Sequence, residues 1–119
     1  MIDAHQVESL AVSYGHEDYY GLYELVWGLN SSHPEAAPAE RLRAAQAALF
    51  SLASRGLVAI YSATVPLEHP TPVTSSSVER VIANDESWLP PGERSAPHYC
   101  FATTESGERA YFAGEFKSL

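Results

Sequence analysis

Five histidines, one cysteine, three neighbouring arginines and a set of aromatic side chains are what this 119-residue sequence offers for chemistry beyond packing. His5, His16, His33, His69 and His98 are spread along the chain, and none stands four residues from another ligand-type side chain, the spacing that would put two on one helical face. His16 precedes Glu17 and Asp18, but with no second histidine nearby the acids read as ordinary helix-entry chemistry rather than a metal site. Cys100 stands between Tyr99 and Phe101, the setting of a buried, inert thiol. Gly15, Gly21 and Gly28 are scattered and lack a neighbouring lysine, so no phosphate-cradling loop is present. Catalysis needs a nucleophile with its base, a pair of carboxylates or a ligand set. None is assembled, so the expectation is a protein without enzymatic activity, cofactor or metal.

Two groups remain. Arg41, Arg43 and Arg55 could grip phosphates, or pair with the acids that this chain has in surplus. Tyr20, Tyr23 and Trp27 project at 100° per residue onto one stripe, opposite the aliphatic stripe of Leu22, Leu25, Val26 and Leu29. The N-terminal segment and Phe112 and Phe116 could cover those aromatics. Left open, they would form a protein interface, since Tyr and Trp are enriched at binding hot spots.

Charge restricts the partners. Fifteen Asp and Glu against seven Lys and Arg give a formal charge of −8, and the first forty residues hold seven acids without a Lys or Arg. Such a surface repels phosphate backbones and anionic membranes at long range. A single cysteine permits neither an intramolecular disulfide nor a thiolate-built zinc site, which favours a reducing, cytoplasmic setting. No leader-like or membrane-spanning stretch is expected. With 45% apolar residues in this length, one domain over 1–119 with a single core is expected.

The positioning elements follow from periodicity and punctuation. Residues 4 to 13 suit a short helix, and 17 to 30 a longer one. Ser32 to Glu35 carries a capping-box pattern, Pro38 opens an Ala- and Leu-rich helix with Leu42, Ala45, Leu49, Leu52 and Ala53 inward, and Gly56 ends it. The runs 57–62 and 98–103 read as strands that pair antiparallel. The stretch between them is too long for a bare loop. Ser76 and Glu79, followed by Val78, Val81 and Ile82 on one face, predict a helix over about 77–84, with Trp88 pinning the excursion to the body. Thr104 should cap a closing helix.

Two segments carry a family resemblance. LASRGLVAIYS resembles the end of a recognition helix running into a wing strand, and YCFATTESGERAYF resembles the second wing strand and the following Thr-Glu-x-Gly helix start, as in winged helix-turn-helix regulators of the MarR and PadR types. The resemblance spans about residues 17 to 114. It implies an α+β fold: a winged-helix bundle with a two-stranded antiparallel wing and, here, an extra helix inserted between the wing strands. It also implies DNA contact by Arg41, Arg43, Ser51, Ser54, Arg55 and Arg94. The outward positions of the long helix are mostly Ala and Ser, and Arg80 and Arg94 of the excursion face five acids, so the charge disfavours DNA. The favoured expectation is therefore a winged-helix module that binds protein, either itself as a homodimer or an acceptor as an inhibitor, immunity or adaptor protein does. A DNA-binding transcriptional regulator is the alternative.

Overall fold

A computed structural model describes residues 2–64, 69–93 and 97–116. Its elements are α1 (Ala4–Glu17), β1 (Tyr20–Gly21), α2 (Leu22–Ser32), α3 (Pro38–Ser54), β2 (Val58–Ala63), β3 (Thr71–Pro72), α4 (Ser75–Ala83), β4 (His98–Thr103) and α5 (Glu105–Phe112), with 3₁₀ turns at Asp85–Trp88 and Pro91–Glu93. The fold is α+β, with an antiparallel sheet in the order β1-β4-β2-β3.

The expected pairing of the two longer strands is present, from Val58 opposite Thr103 to Ala63 opposite His98. The two-stranded ribbon is nevertheless an underestimate. Tyr20 and Gly21 add a short strand beside Phe101 and Cys100, and Thr71 and Pro72 add another beside Ser62 and Tyr61. Two-residue strands have no periodicity to detect, and they exist here because β4 and β2 offer their free edges to them.

That pairing also corrects the helix boundaries. The first helix runs four residues further than expected, to Glu17, and the second begins at Leu22 rather than at residue 17. Helical periodicity in 17–21 is overridden by the ladder to β4, and α2 then starts on Gly21, whose N–H is taken by the Glu24 carboxylate at 2.7 Å. Ser32 does not cap a following helix. It ends α2, donating its hydroxyl to Gly28 O, and a tight turn leads to Pro38 in the first turn of α3. Likewise α4 begins after Thr74, two residues ahead of Ser76, and Ser76 does not serve as its cap.

The core is one cluster that α1, α2, α3 and the sheet share. Val7, Ala11 and Val12 of α1, Leu22, Leu25 and Leu29 of α2, Ala45, Leu49 and Leu52 of α3, and Val58, Ile60 and Phe101 of the sheet are all buried in it. Leu42 and Ala53, expected on the inner face of α3, are only partly buried, while Gln46 and Ala48 are buried. The part of the excursion from α4 to Trp88 closes over this body as expected: Val81 and Ile82 join the core, and Trp88, 5% exposed, donates its indole N–H to Ile82 O at 2.9 Å. Gly56 takes φ +73° at the end of α3, the left-handed conformation that lets the chain turn directly into β2.

The C-terminal junction shows why a glycine follows the threonine cap. Thr104 accepts the Gly107 N–H at 3.1 Å and donates its hydroxyl to Gly56 O at 2.7 Å, while its own N–H bonds Leu57 O at 3.0 Å. This draws α5 so close to the α3–β2 corner that a Cβ on residue 107 would collide with Leu57 O. Among the described residues no helix is long and apolar enough to cross a membrane.

Candidate interaction surface

The aromatic face is built by three elements rather than by one helical stripe. Tyr20 does not belong to α2. Its place is in β1, opposite Phe101, and its ring stacks on Tyr14 of α1 with centroids 4.6 Å apart and planes 11° from parallel. Tyr23 and Trp27 lie one turn apart on α2 and meet edge to face at 4.8 Å. Trp27 remains 53% exposed.

The N-terminal helix covers one side of Tyr20 through Tyr14, but the covering expected from Phe112 and Phe116 does not occur. Phe116 is buried against α1, where its carbonyl accepts the Ser9 hydroxyl and its ring lies over His5, while Phe112 is 71% exposed beside His16. An open groove of about 310 Å³ therefore runs along Tyr14, Tyr20, Glu24, Trp27, Gly28 and Ser31. Tyr23, in contact with Trp27 at the margin of this groove, also lines a small recess with Leu89, Tyr99 and Cys100. Carboxylates flank the groove: the Tyr20 hydroxyl donates to Glu17 at 3.5 Å, and Glu24 sits on its wall. Loss of solvent and then the negative charges of Glu17 and Glu24 push the Tyr20 hydroxyl above the ordinary tyrosine range, and loss of solvent and Glu24 do the same to Tyr23.

The arginines, which fall within fifteen residues of one another in sequence, do not gather at one site. Arg41 and Arg55 stand at opposite ends of α3, roughly 20 Å apart at the helical rise. Arg41 turns back onto the α2–α3 turn, donating through Nη1 to the carbonyls of His33, Pro34 and Ala36. Arg43 forms a fork with Asp85, at 2.7 and 3.2 Å, and also donates to Gln46, which itself donates to Asp85. Arg55 pairs with Glu8 of α1 at 2.5 Å and bonds Ser51 Oγ at 3.2 Å. Ser54 is exposed, and Arg94 lies outside the described residues.

The helix expected to face outward is also partly occupied. α4 packs beside α3, and Phe50, exposed on α3, forms an apolar groove with Ala53, Val58, Ile60, Val73 and Val78.

Comparison with family models, with curated proteins and with solved structures finds no match. Among the described residues no three His, Cys, Asp or Glu side chains gather as a metal site would require. His16, instead of joining Glu17 and Asp18, reaches Glu108 of α5 at 3.3 Å and stacks on Tyr111. Cys100 is buried, and loss of solvent, with the charge of Glu24 behind it, raises its thiol to about 11. At neutral pH so little thiolate is present that it is a poor nucleophile.

Sequence reasoning missed Asp85, Gln46, Glu8, Tyr14 and Glu24 as members of these arrangements. Only Glu24 carried a local signal, an acid three residues after a glycine at a helix start. The others are brought in by elements distant along the chain.

Proposed function

We propose that this chain is a non-enzymatic winged-helix module that works by binding protein through the face of Tyr20, Tyr23 and Trp27. The winged-helix part of this reading is supported by element order: α1, α2 and α3 precede the β2–β4 ribbon, and β1, between the first two helices, joins the same sheet beside β4. In this reading α3 corresponds to the recognition helix, β2 and β4 to the arms of the wing, and α4 to the inserted helix.

The interaction part rests on one observation. Trp27, half exposed, continues into Tyr14, Tyr20 and Tyr23 and borders an open groove, so its exposure belongs to a patch and not to an isolated surface side chain. The partner is a second copy of the chain or an acceptor with a basic surface, as for an inhibitor, immunity or adaptor protein. A reducing cytoplasm suits the lone thiol.

The alternative of a DNA-binding regulator draws less support, because Arg43 and Arg55 already hold carboxylates and Arg41 is spent on backbone carbonyls. Nonspecific duplex affinity needs several free basic contacts on one face. Sedimentation of wild-type protein and Trp27→Ala, with an anisotropy titration against duplex DNA, tests the choice. Protein binding lost in Trp27→Ala, together with duplex binding weaker than the ~10⁻⁴ to 10⁻⁶ M usual for nonspecific complexes at physiological salt, is the expected result. Micromolar duplex binding that disappears in an Arg43→Ala, Arg55→Ala double variant would transfer the proposal to the regulator.

A further inference from the structure

We infer that the groove between α1 and α2 receives a cationic side chain, arginine above lysine, from a basic segment of a different protein. This rests on the interaction reading above and decides between its two partners.

The groove and both helices that form it lie within the first forty residues, which hold seven acids and no Lys or Arg. Glu24 is on the wall beside Trp27, and Glu17 is within reach of the Tyr20 hydroxyl. Glu17 and Glu24 also act on the Tyr20 hydroxyl, and Glu24 on that of Tyr23, each as a secondary cause of the rise after loss of solvent. A symmetric dimer built on this face would set the patch against itself, bringing Glu17 and Glu24 toward their own copies. A basic partner meets no such repulsion.

The aromatic component selects the cation further. Indole is the strongest of the side-chain rings for a cation placed over its face, and a guanidinium can stack on it while forking onto a carboxylate, which an ammonium cannot do. Trp27 and Glu24 line the same groove: the indole offers its face, and Glu24, with Oε2 held by the Gly21 N–H, offers its other oxygen to one guanidinium N–H.

The test is a calorimetric titration of the full chain with acetylated hexa-arginine amide, with hexa-lysine and hexa-glutamate amides alongside, at low and physiological salt, while the Trp27 indole resonance is followed by NMR. Expected are binding of the arginine peptide ahead of the lysine peptide, no binding of the glutamate peptide, a shifted Trp27 resonance, and a roughly fivefold or greater loss in Trp27→Ala. Glu24→Gln should weaken binding comparably. It keeps an oxygen for the Gly21 N–H, so it carries the test if Trp27→Ala fails to fold.

Glu40→Gln, which removes an equal charge from the first turn of α3, should leave affinity within about twofold. Equal losses in Glu40→Gln and Glu24→Gln, or binding indifferent to Trp27→Ala, would overturn the groove as a cation site. Absence of peptide binding in a wild-type chain that self-associates through Trp27 would overturn the cationic occupant and leave the interaction face standing. Absence of both peptide binding and self-association would overturn the two together.

Discussion

Arg43 and Asp85, 42 positions apart in the chain, meet as a two-bond fork with Nη1 to Oδ1 at 2.7 Å and Nη2 to Oδ2 at 3.2 Å. The hydrogen bond from Arg43, then that from Gln46, holds the Asp85 carboxyl below the usual aspartate range against the smaller opposing effect of desolvation. Because the folded-state value is depressed, the pair stabilises the fold above the unfolded value of about 3.9, and the contribution fades as pH falls through the folded value. Both side chains are more than half exposed, so solvent screens it. Followed by carbon-detected NMR, the Asp85 titration should move up toward about 3.9 in Arg43→Ala. An unmoved titration would mean that the fork does not hold in solution.

The same fork occupies the long basic side chain nearest the middle of the outward face of α3. Asp85→Asn removes the competing carboxylate, so duplex binding at low salt should strengthen and its salt slope steepen by at most about one phosphate equivalent. Anisotropy at several salt concentrations reads both. Unchanged slopes in Asp85→Asn and wild type would show that Arg43 does not face the duplex in either.

The two tryptophans should behave oppositely. Trp88 is buried and hydrogen-bonded to Ile82 O, so Trp88→Ala should cost about 3–5 kcal/mol through the cavity and the orphaned carbonyl. Trp27→Ala, at a half-exposed position, should cost about 1 kcal/mol and alter binding instead. Thermal unfolding of the two variants decides this. A drop for Trp27→Ala as large as that for Trp88→Ala would identify its ring as packing.

Gly107→Ala should destabilise by about 2 kcal/mol or more, although alanine is the better helix former, because its Cβ meets the backbone at Leu57 O, which cannot swing aside. Denaturant unfolding gives the number. A stabilised variant would show that the corner between α3, β2 and α5 is looser than described.

Alkaline stability should fall first through Cys100. Its folded-state value is raised to about 11 by burial, so above the unfolded value of about 8.5 the unfolded chain releases a proton that the folded chain retains, and stability declines as pH rises. The raised Tyr20, Tyr23 and Tyr61 hydroxyls extend the same trend from about pH 10 upward. Unfolding curves of Cys100→Ala and wild type should converge between pH 9 and 10. Parallel curves would show the thiol to be solvated in the native state.

Much of the architecture was legible because it is written locally. Leu22, Leu25, Val26 and Leu29 repeat at helical spacing, Pro38 and Gly56 bracket α3, and the alternation through residues 98–103 gives β4. The inserted helix was readable from Val78, Val81 and Ile82, and its anchor from the isolated Trp88, since burying an apolar face is a property of the segment itself. The scarcity of basic residues and the lone cysteine were likewise plain from composition.

What the sequence could not decide was whatever depends on a neighbour far along the chain. Helical periodicity placed Tyr20 on α2, but two ladder positions with β4 make it a strand residue and stack it on Tyr14. Three arginines looked like one basic cluster, but α3 spreads them along its length, and Asp85 and Glu8 arrive from other elements to hold two of them. Trp27 could have been core or surface on periodicity alone. Its exposure was settled by where Phe112 and Phe116 go, which no spacing on α2 encodes. Local propensity acts over a few residues, whereas edge pairing, ion-pair choice and the covering of a helix face are set only when the whole core closes.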